Sequence, residues 1–358
     1  MTEKTNKTFH GARRTSDFPT SCDMEYIVLS PYLGRCPGKC KFCPSYLSRF
    51  GFDLYVDKDY VDYVVSKFET LSVAFTVLMR GSLLFGIEDK YDITYNLLKH
   101  LNSIGIPVGV FTRTPIPDRF LELLSGNKDN FVVFLITGLS ESHNKIVSPI
   151  TDYDKLLRNI EKVRDSGLHT VLEFSPIIPL SEHYVDDVLS LLSSAMRYVN
   201  HVVLSTIKLS VYHFNRFFES IPLDTANLRQ SFDERVVAKT GKTTGFRIIN
   251  YNERYRLFTE VKQFIRSFNQ RYKTNVTLAL EDEFRFDEIV PVDLNSEFRT
   301  SCCQFGKVSK IMYKVDNKFV PFIPCIGNCD NCENYCGIER LKLEKPNKYS
   351  DFRRMRLK

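Results

Sequence analysis

Three cysteines near the start of the chain have the spacing of a metal site that lacks one ligand. The segment CPGKCKFC places Cys36, Cys40 and Cys43 on one loop rich in Pro, Gly and Lys. A fourth ligand would complete a zinc site or an ordinary iron–sulfur cluster, but the next His is His100 and the next Cys is Cys302. Three thiolates on a cubane cluster leave one iron open, and catalysis needs an open metal position. The spacing favours a catalytic iron–sulfur site, with structural zinc as the alternative.

A second group of cysteines lies near the C-terminus, and four of its members follow the spacing C-x3-C-x2-C-x3-C. Its six members are Cys302, Cys303, Cys325, Cys329, Cys332 and Cys336. Such spacing predicts a metal or cluster site, and structural zinc remains possible because it needs no more than four thiolates. The intervening segment KVSKIMYKVDNKFVPFI predicts a β-hairpin with its turn at Asp316 and Asn317, which would bring the first two cysteines beside the last four.

Composition excludes several classes of protein. There is no run of about 18 apolar residues, so no membrane-spanning helix is predicted, and the polar N-terminus lacks the apolar core of a secretion signal. The clustered cysteines suit a reducing compartment, so a cytoplasmic location is expected. Basic residues exceed acidic ones by 49 − 43 = 6, partly through the tail 341–358. No HExxH, P-loop or GxGxxG motif is present.

Alternating strands and helices must position the first cysteine loop, which follows directly on the first strand. Two helices are predicted from apolar residues on one face, over 91–105 and 152–167, each with a C-terminal Gly. The block spans about 185 residues, whereas a complete eight-unit barrel needs about 250. We therefore predict an α/β fold, a partial (βα)6 TIM-type barrel with a small C-terminal Cys-rich module. The six apolar strand candidates are YIVLSP, VAFTVLM, VGVFTR, FVVFLITG, TVLEFSPI and HVVLSTIK.

The pattern changes after about residue 222. The polar stretch 226–255 reads as a loop, and the helix 253–272 and the strand NVTLAL follow it. The predicted division is an N-terminal extension (1–24), a core barrel (25–222), a linker region (223–300), a Cys-rich auxiliary-cluster module (301–340) and a basic tail (341–358).

The first cysteine loop resembles that of the radical S-adenosylmethionine (radical SAM) superfamily, whose motif is C-x3-C-x-aromatic-C, with Phe42 as the aromatic residue. The resemblance implies that Cys36, Cys40 and Cys43 hold a catalytic [4Fe-4S] cluster. Its open iron would bind the amino and carboxylate groups of S-adenosylmethionine, with Phe42 near the adenine. An electron from a donor such as flavodoxin or ferredoxin would then cleave the cofactor to methionine and a 5′-deoxyadenosyl radical, which abstracts hydrogen from a substrate.

Strand ends supply further residues that the resemblance places around the cofactor. Arg113, which ends the third strand, suits the cofactor's carboxylate because Arg pairs with it bidentately; the alternative is an Arg paired with a helix carboxylate. By position, the other expected contacts are Gly81 and Ser82 for the amino group, Thr137 and Ser142 for the ribose, and Ile177 for the adenine.

Within the superfamily, residues 25–210 are most similar to spore photoproduct lyase-like proteins, through the stretch from VFTRTPIPDRFLELL to TVLEFSPIIP. The chain departs from the lyase pattern at two places. Met79, Arg80 and Gly81 occupy the neighbourhood of the lyase's hydrogen-donating cysteine, and Pro44 stands where the lyase has an aromatic residue. The resemblance therefore suggests the architecture more than the substrate.

The C-terminal cysteines resemble the auxiliary-cluster modules called SPASM or twitch domains, although their spacings differ. That resemblance implies a second [4Fe-4S] cluster on Cys329, Cys332, Cys336 and one of Cys303 or Cys325. Two substrate classes follow. The lyase-like body and basic termini favour a nucleic acid or nucleotide, to which we lean. The auxiliary module favours a peptide or protein substrate. A non-catalytic zinc-binding protein is the alternative from a different class.

Overall fold

A computed structural model gives the fold of the chain. It describes residues 9–14, 25–29, 32–33, 38–47, 55–56, 59–71, 73–79, 91–223, 225–239, 242–281, 283–285, 292–301, 305–306 and 311–321.

The strands of these ranges are β1 (Phe9–Arg14), β2 (Glu25–Leu29), β3 (Tyr32–Leu33), β4 (Tyr55–Val56), β5 (Val73–Phe75), β6 (Val77–Met79), β7 (Val108–Thr112), β8 (Phe131–Ile136), β9 (His169–Ile177), β10 (His201–Thr206), β11 (Lys208–Ser210), β12 (Phe232–Lys239), β13 (Lys242–Ile249), β14 (Thr277–Leu280), β15 (Phe284–Arg285), β16 (Val292–Asp293), β17 (Ile311–Val315) and β18 (Lys318–Pro321). The α-helices are α1 (Pro44–Leu47), α2 (Tyr60–Thr70), α3 (Ile93–Ser103), α4 (Asp118–Ser125), α5 (Glu141–Val147), α6 (Tyr153–Asp165), α7 (Tyr184–Ala195), α8 (Val211–Ser220), α9 (Ala226–Gln230), α10 (Tyr251–Tyr272) and α11 (Asn295–Phe298).

One large sheet carries the fold, in the order β1-β2-β6-β7-β8-β9-β10-β14. Seven of its strands are parallel, namely β2, β6, β7, β8, β9, β10 and β14, and β1 pairs antiparallel with β2. The α/β prediction is confirmed, but the described sheet has seven parallel strands where six were predicted. The additional strand, β14, comes from the predicted segment NVTLAL and pairs with β10. Pairing between distant segments cannot be read from local periodicity, so the sequence did not show where this strand inserts.

The two faces of the sheet bury different apolar sets, as expected for a partial barrel. The outward set packs in one continuous core against α2, α3, α4, α6, α7, α10 and α11, whereas α5, α8 and α9 pack in a second apolar cluster. The inward set, from β2 and from β6 to β10, forms a separate cluster around Phe305. The helices of that core lie on one face of the sheet, so the described part of the chain does not have the two helical layers of a doubly wound fold. The division of the chain into domains stays a prediction.

Local patterning correctly predicted two outer helices. In α3 and α6 the residues expected to face the core are buried, including Leu97 and Ile160. Gly105 and Gly167 follow these helices with φ of 83° and 82°, in the left-handed region that glycine adopts readily at a helix end.

Two other segments test the sequence reading in opposite ways. The predicted loop 226–255 is wrong, because it contains α9, the start of α10 and the hairpin β12–β13. Its polar composition hid the strands. The hairpin predicted at Asp316 and Asn317 is confirmed by β17 and β18, and both turn residues have positive φ, 47° and 63°, as a two-residue hairpin turn requires. Because β17 also pairs with β5, the predicted strand VAFTVLM is divided into β5 and β6.

An aromatic cluster fills the inner face towards the amino ends of the parallel strands. The Phe305 ring lies 5.9 Å from that of Phe131 and 6.0 Å from that of Tyr26, measured between centroids. The carbonyl oxygen of Phe305 lies 2.8 Å from His169 Nε2 at the start of β9. This packing occupies one end of the inner face, whereas the polar groups gather at the carboxyl ends. None of the helices in the described ranges combines the length and apolar character that crossing a bilayer requires.

Candidate functional site

The candidate site lies at the carboxyl ends of the parallel strands, where the polar side chains from separate strand–helix units meet. Arg113 directly follows β7, Thr137 directly follows β8, and Ser175 lies in the last third of β9. The carboxyl edge of the strands is where βα-barrel enzymes hold their catalytic groups.

Backbone hydrogen bonds hold the described part of the cysteine loop. The Cys43 amide donates to the Cys40 carbonyl oxygen (3.1 Å), and the Cys43 carbonyl then accepts from Leu47 in the first turn of α1 (2.9 Å). The Lys41 amide donates to the carbonyl oxygen of Val147 (2.8 Å), which fastens the loop to the end of α5. Cys40 is buried and Cys43 is half-buried. Cys36 lies outside the described residues.

Cys40 touches a buried polar group that the sequence reading missed. Its Sγ lies 3.4 Å from Ser148 Oγ, and Ser148 Oγ lies 3.1 Å from Thr151 Oγ1. Asn144 Nδ2 donates to the Thr151 carbonyl oxygen (2.8 Å). Burial raises the pKa of the Cys40 thiol, although the positive charge of Arg113 and the hydrogen bond from Ser148 act in the opposite direction. In the sequence, the polar residues of the segment VSPITDY are small ones before a helix. That pattern is too common to mark a site.

Arg113 is the buried cation of the site, with 6% of its surface exposed. Its Nη2 donates to the carbonyl oxygen of Ser175, and its Cζ lies 5.0 Å from the ring centroid of Phe42. Its Nη1 is buried and has no hydrogen-bond partner among the described residues. Burial lowers the pKa of the guanidinium, while nearby Cys40 and Glu173 favour the charged form. The alternative, an ion pair between Arg113 and a helix carboxylate, is not found in the described ranges. The Nη1 group is therefore available to donate a hydrogen bond to a ligand.

The other predicted contacts occupy varied surroundings. Thr137 is fully buried, and its Oγ1 lies 2.9 Å from both Asn144 Oδ1 and the Tyr153 hydroxyl. Burial raises the pKa of Tyr153 to about 12. Ser142 is exposed, with its Oγ 3.3 Å from Ser140 Oγ, and Ile177 is 1% exposed within the outer core. The cofactor roles of Thr137, Ser142 and Ile177 stay predictions.

Several predicted site residues lie outside the described ranges. They are Gly81, Ser82 and the C-terminal cysteines Cys302, Cys303, Cys325, Cys329, Cys332 and Cys336. Within the described ranges, no group of three or more potential metal-ligating side chains occurs. The structure thus brings together Cys40, Cys43, Phe42 and Arg113, and adds Ser148 to them.

Comparison with known proteins places this arrangement in context. Residues 30–192 match the family described as the Radical SAM superfamily. No curated protein sequence matches the chain.

Among solved structures, the fold is similar to that of spore photoproduct lyase. A mutant of that lyase with bound AdoMet and dinucleoside spore photoproduct superposes with a TM-score of 0.54 and 15% identity, covering 77% of this chain and 79% of the lyase. Another lyase mutant with the dinucleoside has a TM-score of 0.56, 14% identity and coverages of 77% and 80%. At this identity the likeness concerns the fold alone. Streptococcus suis SuiB bound to S-adenosylmethionine matches at a TM-score of 0.46 and 13% identity, over 72% of this chain and 51% of SuiB, which is too low to support an inference.

Proposed function

We propose, from the match of residues 30–192 to the Radical SAM superfamily, that Cys36, Cys40 and Cys43 hold a [4Fe-4S] cluster whose open iron binds S-adenosylmethionine. When both groups are bound and a donor such as flavodoxin or ferredoxin has reduced the cluster, they would supply the one-electron cleavage of the cofactor to methionine and a hydrogen-abstracting 5′-deoxyadenosyl radical. The chain is accordingly a radical SAM enzyme, with thiolates as the soft ligands that iron–sulfur clusters take.

The observation that carries the proposal is the buried Arg113 guanidinium beside the cysteine loop. Its Nη1, which has no partner among the described residues, needs an acceptor, since a buried donor without one costs about 1–3 kcal/mol. A carboxylate fills that need and matches the planar fork of Arg. Phe42 supports the guanidinium from one side, and the Ser175 carbonyl fixes its Nη2. These residues fit a cofactor that carries a carboxylate next to the cluster.

Substitution of the cysteines tests the assignment. After anaerobic reconstitution, Cys36→Ala, Cys40→Ala and Cys43→Ala are each expected to abolish production of 5′-deoxyadenosine, because two thiolates hold the cluster poorly. Cys22→Ala, outside both cysteine groups, is the matched control and should retain the activity. Continued cleavage in all three variants would contradict the ligand assignment. A colourless, zinc-containing wild-type protein that never cleaves the cofactor would establish the zinc-binding alternative.

For the substrate we favour a nucleic acid, because a cationic and aromatic surface lies beside the cysteine loop. Arg216 in α8 donates to the carbonyl oxygen of Leu47 in α1 (2.8 Å), so α8 is attached to the helix that follows Cys43. The Arg216 guanidinium stacks 4.8 Å from the ring centroid of Tyr212, which is 58% exposed. Exposed rings and arginines are the features on which unpaired bases stack.

Two further arginines extend this surface. Arg229 and Arg247 lie 5.6 Å and 5.2 Å from the ring centroid of Phe214, also in α8. Guanidinium groups held against rings keep their positive charge, which attracts phosphates.

Salt dependence tests this substrate class. Each phosphate contact contributes a slope of about −0.7 to log K against log salt for a single strand. Arg229→Gln with Arg247→Gln is therefore expected to weaken binding of a single-stranded oligonucleotide and to flatten the slope by about 1.4. Arg158→Gln with Arg164→Gln removes the same charge from α6 and should leave the slope unchanged. Equal slopes in both double variants would contradict the nucleic-acid assignment.

Modification of a peptide is the second candidate, and the C-terminal cysteine spacing favours it. There we propose a second [4Fe-4S] cluster on Cys329, Cys332, Cys336 and one of Cys303 or Cys325. Two clusters correspond to about eight iron atoms per chain, and Cys329→Ala with Cys332→Ala should remove about half of them. An unchanged iron content in that variant would contradict the second cluster. Binding of a cysteine-rich precursor peptide, without salt-dependent binding of an oligonucleotide, would favour the peptide substrate.

A further inference from the structure

We propose that Ser148 is a positioning residue that sets the reduction potential of the cluster by donating a hydrogen bond to the sulfur of Cys40, with Thr151 orienting its hydroxyl. The inference rests on the proposed function, since it requires Cys40 to be a cluster ligand.

The contact is short and enclosed. Ser148 Oγ lies 3.4 Å from Cys40 Sγ, and Ser148 and Cys40 are 0% and 8% exposed. Desolvation strengthens a hydrogen bond electrostatically, because water does not compete for either partner. The contact therefore acts on the sulfur more strongly than a hydrogen bond at the surface would.

The local turn fixes the positions of both hydroxyls. The Thr151 amide donates to the Ser148 carbonyl oxygen (3.0 Å), and the Ser148 amide donates to the carbonyl oxygen of Asn144 (2.8 Å). The cysteine loop is fastened to the residue before this turn through the bond from the Lys41 amide to Val147. The separation between sulfur and hydroxyl is thus set by backbone contacts on both sides.

The protonation state of Cys40 decides the direction of the hydrogen bond between Ser148 and Cys40 once iron is bound. An iron-bound thiolate carries no proton, so Cys40 can only accept and Ser148 must donate. The lone pairs of Ser148 Oγ are then open to a proton from Thr151 Oγ1, at 3.1 Å. Thr151 thus orients the Ser148 hydroxyl towards the sulfur.

A donor at the sulfur favours the reduced cluster. Reduction adds negative charge to the cluster and its ligands, and hydrogen bonds to the sulfurs are among the factors that set cluster potentials. A charge-assisted bond grows stronger as the acceptor becomes more negative. Removing the donor should therefore lower the potential and make the cluster harder to reduce.

The test is a redox titration of the anaerobically reconstituted full chain without S-adenosylmethionine, followed by electron paramagnetic resonance. For Ser148→Ala we expect a potential more negative by about 59 mV, a tenfold change in the one-electron reduction equilibrium. Thr151→Val, which keeps Ser148, should shift the potential in the same direction by less. Ser193→Ala, an exposed serine on α7, should leave it unchanged.

An unshifted potential in Ser148→Ala with wild-type iron content would overturn the inference. Should Ser148→Ala fail to assemble its cluster, Thr151→Val decides, and an unshifted potential there would overturn the inference as well. Failure of the proposed function looks different, because the wild-type chain would then show no cluster signal and no cofactor cleavage, or Cys40→Ala would retain both.

Discussion

The guanidinium of Arg113 lies over the ring of Phe42, with Cζ 5.0 Å from the ring centroid. One residue belongs to the cysteine loop after β2 and the other directly follows β7, so the parallel sheet brings them together. Among the described residues this guanidinium is held by a ring and one carbonyl oxygen and has no ion pair with a carboxylate, so it keeps its capacity to bind an anionic ligand.

Replacing Arg113 should weaken cofactor binding. A hydrogen bond to a charged group is worth about 1.5–3 kcal/mol, so Arg113→Gln is expected to raise the dissociation constant for S-adenosylmethionine about 10- to 150-fold. Arg113→Lys should weaken cofactor binding less, because Lys keeps the charge although it lacks the planar fork. Equilibrium binding to the anaerobically reconstituted chain measures both, with iron content checked in each variant. Arg164→Gln, an exposed arginine, is the control, and wild-type affinity in Arg113→Gln would refute the role.

Phe42 should act on the cofactor partly through Arg113. Phe42→Leu keeps an apolar side chain but removes the ring, and a desolvated cation–π contact is worth up to about 2 kcal/mol. We expect weaker cofactor binding in Phe42→Leu and a smaller effect of the same substitution when Arg113 is already Gln. A double-mutant cycle of dissociation constants measures this coupling. Strict additivity would show that the two residues act independently.

Glu283 should be essential for stability. Its buried carboxylate accepts from Lys208 Nζ (2.8 Å) and Arg254 Nη1 (2.9 Å), and from the amide of Thr206 (2.6 Å). Breaking a buried pair by removing one partner costs about 3–5 kcal/mol, so Glu283→Gln is expected to lower the free energy of unfolding by that order. Denaturant unfolding under anaerobic conditions measures it, with the exposed Glu182→Gln as control. A loss no larger than in the control would contradict the assignment.

The buried carboxylate of Glu283 also predicts that the protein loses stability in acid. Burial alone would raise the pKa of Glu283, but the charges of Lys208 and Arg254 and the hydrogen bonds outweigh it and lower the pKa. A folded-state pKa below the unfolded one stabilises the fold above about pH 4.3, the ordinary value for Glu. That contribution should disappear as the pH falls from there through the folded-state pKa. Glu283→Gln should show a shallower dependence in this range, and an equal dependence would contradict the prediction.

Gly109 should tolerate no side chain because an aromatic ring occupies the space. A Cβ there would lie 2.3 Å from Phe131 Cζ, and that ring packs on Phe305. Overpacking typically costs about 1–3 kcal/mol, which is the expected loss of unfolding free energy in Gly109→Ala. Adding Phe131→Leu should make the effect of Gly109→Ala smaller, since the shorter side chain leaves room. A fully additive double variant would place the strain elsewhere.

The elements of this chain were largely predictable, whereas the contacts between them were not. The apolar runs of β7, β8 and β10, the faces of α3 and α6, and the turn at Asp316 depend on residues close in sequence. The hairpin β12–β13 was missed because its strands carry polar residues. The insertion of β14 beside β10 was missed because strand order is a property of the whole sheet.

The sequence by itself predicted the type of chemistry, since three closely spaced thiols and one aromatic residue need no fold to be recognised as a motif. The tertiary structure alone decided what surrounds those thiols. Ser148 reaches Cys40 across 108 residues of chain, and Arg113 reaches Ser175 across 62. Such distances in sequence are closed only by sheet register and helix packing, which local residue patterns do not encode.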